Sequence, residues 1–226
     1  MDWSLDYGES HLNVSSDIDA RSKSLEALIH HYSLLLGYIN RNPLFKASYE
    51  PVDVEADAPP IVTRMADAAG ECGVGPMAAV AGAIAQLVAE AVLETGATEV
   101  IVDNGGDIYM KLACERIVGV YAGISAFSRK IAFKVRPEYT PCSICTSSGS
   151  VGHSISLGYA DSLTTVADSG AYADAAATAV ANVIKDESAI QDALDSAKLM
   201  GSLRGVLAIK GGVAGMWGRL PELVWE

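Results

Sequence analysis

Positive charge is scarce in this chain of 226 residues, in which 16 lysines and arginines stand against 28 aspartates and glutamates for a formal net charge of −12. A surface that binds DNA or RNA needs an excess of basic side chains to neutralise the phosphates. The composition therefore argues against a nucleic-acid partner. It does not argue against a nucleotide-sized ligand, because backbone N–H groups and a metal ion can bind phosphate.

Cysteine is also scarce, and the first residues do not resemble a secretory leader. The four cysteines do not have the pattern of a disulfide framework, and MDWSLDYGES lacks the basic and apolar regions of a signal peptide. We therefore expect reduced thiols and a cytoplasmic location. We also expect residues 1–10 to be flexible, because they are polar and acidic.

Long apolar runs are limited to one, from Val74 to Leu93. This run consists mostly of alanine and glycine and contains Gln86 and Glu90, so a helix buried inside a globular protein explains it better than a membrane span. We expect no membrane partner. Half of the residues are apolar, which is enough for the core of one domain over residues 1–226.

The spacing of apolar residues predicts an α+β fold with largely antiparallel sheets. Helical spacing is clear from Ser22 to Asn40, and a glycine-proline turn opens a second, alanine-rich helix. Strands come in local pairs and helices are inserted in pairs, which favours this fold class. The alternating segments Ile108–Ala113, Ile117–Ile124 and Lys130–Val135 suggest an antiparallel meander.

Candidate functional residues concentrate between Ile144 and Ile184. Asp174 and Thr178 are four residues apart near the start of a predicted helix, so they project from one face. A carboxylate and a hydroxyl suit a hard cation such as Mg²⁺. An exposed aspartate and a helix-capping threonine would give the same spacing.

Two further segments could contact a phosphate-bearing ligand. The turn Asn104, Gly105, Gly106 and Asp107 has consecutive glycines whose N–H groups could face a phosphate or a flat ring, although Asn-Gly is also common in plain hairpins. The segment Thr146, Ser147, Ser148 and Gly149 offers hydroxyl groups, and His153 after it could transfer a proton.

Other catalytic motifs are absent or weak. The sequence contains neither a Gly-x-Ser-x-Gly elbow nor a Walker motif, so a hydrolase triad or a P-loop NTPase is not supported. Cys142 and Cys145 form a single CxxC pair, which is poor evidence for zinc because no second pair or nearby histidine accompanies it. Cys145 adjoins the hydroxyl-rich segment and is the better candidate for thiol chemistry.

Three segments together resemble an ApbE-related family, the bacterial and archaeal relatives of the FAD:protein FMN transferase ApbE. They are GVGPMAAVAGAIA from Gly73, VDNGGDIY from Val102, and the stretch from Cys145 to Asn182. The resemblance runs from about the first helix to the C-terminus and implies an ApbE-like fold of two related, intertwined halves of the T-fold type.

The resemblance also implies a metal and a cofactor. In the transferases, an Ala-Asp-Ala-x-Ala-Thr motif binds Mg²⁺ beside the FAD pyrophosphate, and Asp174 and Thr178 match its metal-binding positions. The transferases also have an Asn-x-Gly-Gly-Asp/Glu turn, which residues 104–107 resemble with one residue fewer. They carry a longer insert before a His-Ile-Ile-Asp-Pro motif, whereas here His153 follows the loop at once and no Asp-Pro follows it.

We therefore predict a protein that binds FAD, FMN or another small phosphate-bearing ligand together with Mg²⁺. Three alternatives stay open: a thiol or sulfur-handling enzyme that uses Cys145, a flavin transferase like ApbE, and a binding protein without catalysis. The sequence leaves the oligomeric state undetermined.

Overall fold

An eight-stranded antiparallel sheet lies between a layer of helices and a second, smaller sheet. The structure is a computed structural model, and it describes residues 1–148 and 159–225. The helices α1 to α6 are Arg21–Arg41, Pro43–Ala47, Pro60–Cys72, Val80–Leu93, Gly170–Ala181 and Ile190–Lys198. The strands β1 to β11 are Asp2–Tyr7, Ser10–Ser16, Val100–Asn104, Asp107–Lys111, Arg116–Gly119, Ile131–Val135, Cys142–Ser147, Ser162–Ala167, Leu203–Lys210, Val213–Gly218 and Glu222–Trp225.

The order of strands in the large sheet is β1-β2-β3-β4-β7-β8-β9-β10, and β11-β6-β5 form a separate three-stranded sheet. Each strand pairs antiparallel with its neighbours. The large sheet contains the same sequence of elements twice, a strand pair, then helices, then a second strand pair. The predicted α+β class with antiparallel sheets is confirmed, whereas the relation between the two halves stays a prediction.

The layers on both faces of the large sheet explain why successive residues of its central strands are buried. One large core lies between the helices and one face of the sheet, and a smaller core lies between the other face and the three-stranded sheet. Every residue of β8 is therefore buried, although the strand contains one serine and two threonines. A strand covered on both faces loses the alternation of apolar and polar residues that marks a half-exposed strand.

The N-terminus corrects one prediction, because residues 1–10 are structured instead of flexible. Strand β1 pairs along its length with β2. Trp3 points inward, where its indole N–H donates to Ser24 Oγ at 3.0 Å, and Asp2, Ser4 and Asp6 are exposed. Polar residues that alternate with apolar ones are typical of an edge strand with one solvated face, so polarity alone did not indicate flexibility.

The predicted meander is also wrong in its pairing. β4 pairs with β3 and β7 in the large sheet, whereas β5 and β6 pair with each other in the small one. The chain leaves the large sheet after β4 and returns at β7. Local alternation identifies strands, but it does not say in which of two sheets a strand lies.

The alanine-rich helix α4 lies in the middle of the helical layer. Among the residues that the structure describes, only Pro76–Leu93 is long and apolar enough to pass a test for a membrane span, and it does so by length and composition alone. Within α4, nine of the 14 residues are buried against the sheet and the neighbouring helices. The prediction of a helix buried in the core is confirmed.

Candidate functional site

A row of polar residues crosses the helix-facing side of the sheet at the end of the β3–β4 hairpin. The strand register places Asn104 opposite Asp107, Asp107 opposite Cys145, and Cys145 opposite Thr165. The two ends of the row are bonded to the helices above. Asn104 Nδ2 donates to the Ala81 carbonyl of α4 at 3.2 Å, and Thr165 Oγ1 donates to the Ala173 carbonyl of α5 at 2.6 Å.

Strand alternation decides which of the predicted residues join this row. Cys142 and Cys145 are three residues apart on β7, so their side chains point to opposite faces of the sheet. Cys142 packs in the small core and Cys145 in the large one. The CxxC spacing therefore does not create a dithiol, because the sheet lies between the two sulfur atoms.

Helix α5 brings Asp174 to the row from above. The Gly82 N–H, in the first turn of α4, donates to Asp174 Oδ2 at 2.9 Å. The helices approach closely here because a Cβ atom at Gly82 would clash with the Gly170 carbonyl oxygen, and one at Gly170 would clash with the Gly82 carbonyl oxygen. Only glycine at both positions allows this distance between the helices.

Asp107 and Asp174 form a pair of carboxyl groups in poorly solvated surroundings. Burial raises the pKa of Asp107 to about 7, although the Cys145 thiol and the Thr146 N–H donate to it. Burial and the charge of Asp107 raise the pKa of Asp174 well above its usual range, against the opposing effect of the Gly82 and Ala81 N–H groups. No ion pair in residues 1–148 and 159–225 involves either carboxylate.

Cys145 is a poor nucleophile in this position. It has 0% of its surface exposed, and burial together with the charges of Asp107 and Asp174 raises its thiol pKa well above the ordinary value. Its Sγ lies 3.3 Å from Ser143 Oγ and 3.8 Å from the Gly170 carbonyl oxygen. A reactive thiolate needs the opposite conditions, some exposure and a lowered pKa.

The Asn104–Asp107 turn is a tight hairpin connection. Gly105 and Gly106 have φ angles of 68° and 105°, and positive φ at both central positions is characteristic of the turn that matches the twist of a two-stranded hairpin. Gly106 N–H donates to Asp103 Oδ1 at 2.8 Å, so it already has a partner. The turn orients Asn104 and Asp107, and this is the contribution that the structure supports best.

The hydroxyl-rich segment is divided between the two faces of the sheet. Thr146 and Ser147 belong to β7, and Thr146 Oγ1 bonds Thr164 Oγ1 at 2.9 Å on the side away from the helices. Ser148 Oγ donates to the Asp161 carbonyl at 2.9 Å. Gly149 and His153 lie outside the described residues, so their predicted roles stay predictions.

Thr178 lies one turn beyond Asp174 on α5, and both residues are half-buried. Within the described part of the chain, no group of three or more histidine, cysteine, aspartate or glutamate side chains is arranged to hold a metal ion. Mg²⁺ typically takes only one or two protein carboxylates and completes its shell with water and phosphate oxygens. The pair Asp107 and Asp174 has the donor chemistry for such a cation.

Gln86 and Thr165 are site residues that the sequence did not indicate. Gln86 Oε1 accepts from the Gly170 N–H at 2.7 Å, at the start of α5. A glutamine inside an apolar helix was the available signal, but sequence alone did not say what it contacts. Thr165 gave no signal, because a threonine in a strand is ordinary.

Comparison with solved structures defines the class of protein by its fold. The ApbE protein of Thermotoga maritima superimposes with a TM-score of 0.60 at 14% sequence identity, covering 95% of this chain and 96% of that one. The flavin transferase ApbE of Vibrio cholerae superimposes with a TM-score of 0.54 at 13% identity, covering 98% and 97%. The fold is therefore ApbE-like.

The sequence comparisons identify the family. A family model described as "AbpE bacteria" matches residues 2–200, and the chain belongs to that family. A UPF0280 protein of Methanococcus maripaludis is 44% identical over 194 residues, which is 84% of this chain and 78% of the relative. A UPF0280 protein of Methanocaldococcus jannaschii is 41% identical over 207 residues, covering 89% and 84%. The resemblance inferred from the sequence motifs is confirmed.

Proposed function

We propose that this protein binds a phosphate-bearing nucleotide, with a flavin as the first candidate, together with a divalent cation at the crossing of α4 and α5. The observation that carries the proposal is the pair Asp107 and Asp174, two half-buried carboxyl groups with raised pKa values and without a basic partner among the described residues. Burying such a charge is costly unless it is paired or coordinates a metal.

The residues around this pair suit a hard cation with incomplete protein coordination. Asp174 would hold the ion, Asp107 would supply a second carboxylate, and the Thr178 hydroxyl would supply a third oxygen. The ion would neutralise charge on the phosphates of a bound nucleotide. The flavin is supported by the ApbE-like fold and by the name of the Vibrio cholerae neighbour, a flavin transferase.

The alternatives differ in their support. The thiol enzyme loses the support of Cys145, which is buried and has a raised pKa. A binding protein without catalysis and a transferase both require the proposed site, so ligand binding is the first property to test. The cytoplasmic location stays a prediction.

Calorimetric titration of Mg²⁺ into the protein with FAD present tests the proposal. Asp174→Asn should weaken Mg²⁺ binding by at least about tenfold, because a neutral amide replaces a charged oxygen ligand. The thermal midpoint in EDTA should not fall, because the amide oxygen can still accept from the Gly82 N–H. Asp192→Asn, at an exposed position on α6, is the matched control and should bind as the wild type does. Equal Mg²⁺ affinity in Asp174→Asn and wild type would reject the proposal.

A further inference from the structure

Gln86 is the polar residue at the point where helix α4 faces the start of α5. Both the oxygen and the nitrogen of its side-chain amide form hydrogen bonds. Oε1 accepts from the Gly170 N–H at 2.7 Å, and Nε2 donates to Glu90 Oε1 at 2.9 Å. A free N–H at the first residue of α5 is thereby satisfied by a side chain of another helix.

The orientation of this amide is determined by its neighbours. Glu90 receives two parallel hydrogen bonds from Arg64, with both nitrogen-to-oxygen distances at 2.9 Å. An ionised glutamate only accepts and a backbone N–H only donates, so the reversed amide would face both neighbours with the wrong group. Arg64, Glu90 and Gln86 therefore form a chain of hydrogen bonds that ends at the backbone of α5.

Two hydrogen bonds tie α4 to α5, one on each side of the glycine contact. Gly82 N–H bonds Asp174 Oδ2, and one turn further along α4 Gln86 bonds Gly170 N–H, one turn earlier on α5. The two helices therefore run antiparallel here. A shift of α5 along its axis would lengthen both bonds. Gly82 and Gly170 have no side chains that could resist this shift by interlocking.

We infer that Gln86 is a positioning residue for the cation site: through its bond to the Gly170 N–H it sets where α5 lies along α4, and thereby where Asp174 stands relative to Asp107. The inference rests on the proposed function, because its consequence is the affinity for a divalent cation. Gln86 itself would not touch the ion. Groups that orient metal ligands typically change affinity by 10- to 100-fold when they are removed.

The test exchanges the donor and acceptor roles along the hydrogen-bond chain. Gln86→Glu keeps an acceptor for the Gly170 N–H but places a second carboxylate against Glu90, so the side chain should move away. The double variant Gln86→Glu, Glu90→Gln has the same net charge as the wild type and restores the bond from the Gly170 N–H and the bond between residues 86 and 90. The amide at residue 90 accepts one hydrogen bond from Arg64, whereas Glu90 accepts two. The introduced carboxylate accepts from Gly170 and from the new amide, which in turn accepts from Arg64.

Affinity for Mn²⁺ can be measured by electron paramagnetic resonance of the free ion, with and without FAD. We expect Gln86→Glu to bind Mn²⁺ about tenfold more weakly and the double variant to regain wild-type affinity. Gln191→Glu is the matched control, because Gln191 also donates to an acid four residues on, Asp195, but on an exposed face of α6. It should bind Mn²⁺ as the wild type does.

The outcomes separate this inference from the proposed function. If the wild type does not bind Mn²⁺, or Asp174→Asn binds it equally well, the proposed function is wrong and the inference falls with it. If Asp174→Asn loses binding while Gln86→Glu retains it, only the positioning role is wrong. The positioning role is also wrong if the double variant binds Mn²⁺ as weakly as Gln86→Glu does while it melts at the wild-type temperature. If Gln86→Glu fails to fold, the folded double variant decides. Weak Mn²⁺ binding by the double variant overturns the positioning role, and Mn²⁺ affinity equal to that of the wild type supports it.

Discussion

Within residues 1–148 and 159–225, Asp107 and Asp174 have no basic partner, in contrast to several other acidic residues of the helical layer and its surroundings. Glu90 pairs with Arg64, Glu99 pairs with Arg116, and Asp161 pairs with Lys210. An acidic group near a basic one keeps its charge at low cost, whereas burial and a neighbouring carboxylate both raise the pKa of a carboxyl group, as at Asp174 beside Asp107 and at Asp107 beside Asp103. A bound cation would favour the ionised forms of both carboxyl groups and would balance the negative charge that they then carry.

The four thiols give a prediction at the scale of single residues. Cys72, Cys142 and Cys145 are buried, and burial raises the pKa of Cys72 and Cys142 to about 12 and that of Cys145 well above its ordinary value. Raised values keep these thiols protonated as the pH rises to 9, whereas a free thiol of pKa about 8.5 ionises in that range. We expect iodoacetamide to label only Cys114, which is exposed, in the native protein between pH 7 and 9.

Peptide mass spectrometry after timed labelling checks this expectation. Cys114→Ser should leave no rapidly labelled thiol in the native state, and all remaining cysteines should react once the chain is unfolded in guanidinium chloride. Rapid labelling of Cys145 at pH 7 would contradict the expectation and would restore the thiol-enzyme alternative.

At the scale of elements, the crossing of α4 and α5 depends on two glycines. Gly82 and Gly170 allow the two backbones to touch, and this contact brings the Gly82 N–H within 2.9 Å of Asp174 Oδ2. Glycine in a helix is unfavourable by roughly 1 kcal/mol relative to alanine, so intrinsic propensity disfavours it at Gly82. The close approach of the helices is the physical reason for its presence there.

Alanine substitution at two helical glycines should therefore have opposite effects. Gly82→Ala places a methyl group against the Gly170 carbonyl and should destabilise the fold by about 1–3 kcal/mol, as other overpacked sites do. Gly70→Ala on α3 meets nothing within 4 Å and should stabilise it by about 0.5–1 kcal/mol. Urea denaturation followed by circular dichroism measures both. A loss of stability of equal size at the two positions would mean that the two helices do not cross in backbone contact.

At the scale of the whole molecule, the large sheet is covered unequally. Among the residues that the structure describes, helices cover one face, and the small core under the three-stranded sheet contacts the other face from β3 to β9. On β1 and β2 the residues that face away from the helices, such as Asp2, Ser4 and Asn13, remain exposed. The polar row lies on the face that the helices cover, where Cys145 is fully buried and Asp107, at the end of the hairpin, is half-buried.

Flavin transfer is the prediction that concerns the whole molecule, and we expect none. Transfer needs a metal at the pyrophosphate, a pocket for the isoalloxazine, and a groove that presents a serine or threonine of an acceptor protein. The resemblance to the transferases implies that the isoalloxazine pocket and the acceptor groove depend on an insert, which this chain lacks between Gly149 and His153. Lost positioning alone can raise a barrier by several kcal/mol, roughly the size of effective-molarity effects.

The measurement is in-gel flavin fluorescence after incubation with FAD, Mg²⁺ and an acceptor protein that a flavin transferase is known to modify. That transferase serves as the positive control. We expect bound FAD but no fluorescent acceptor. A fluorescent acceptor band that disappears in Asp174→Asn would show that the protein transfers flavin.

The sequence determined most of the helices and strands, and the family. Apolar spacing placed α1 and α5 to within a few residues, and the Asp174–Thr178 spacing pointed to a helical face that carries a carboxylate and a hydroxyl. These features depend on residues that are close along the chain, and their periodicity is readable directly. The first ten residues are the exception, because their polar composition suggests flexibility although their alternation is that of an edge strand.

Only the tertiary structure decided how the site is assembled. The pairing of β4 with β7 places Asp107 beside Cys145, and the glycine crossing joins Gly82 to Asp174, 92 residues away. Side-chain alternation along β7 sends Cys142 to the opposite face, which removes the CxxC motif from consideration. Contacts between distant segments depend on which surfaces the folded layers bring together, and no local pattern of residue types encodes that choice.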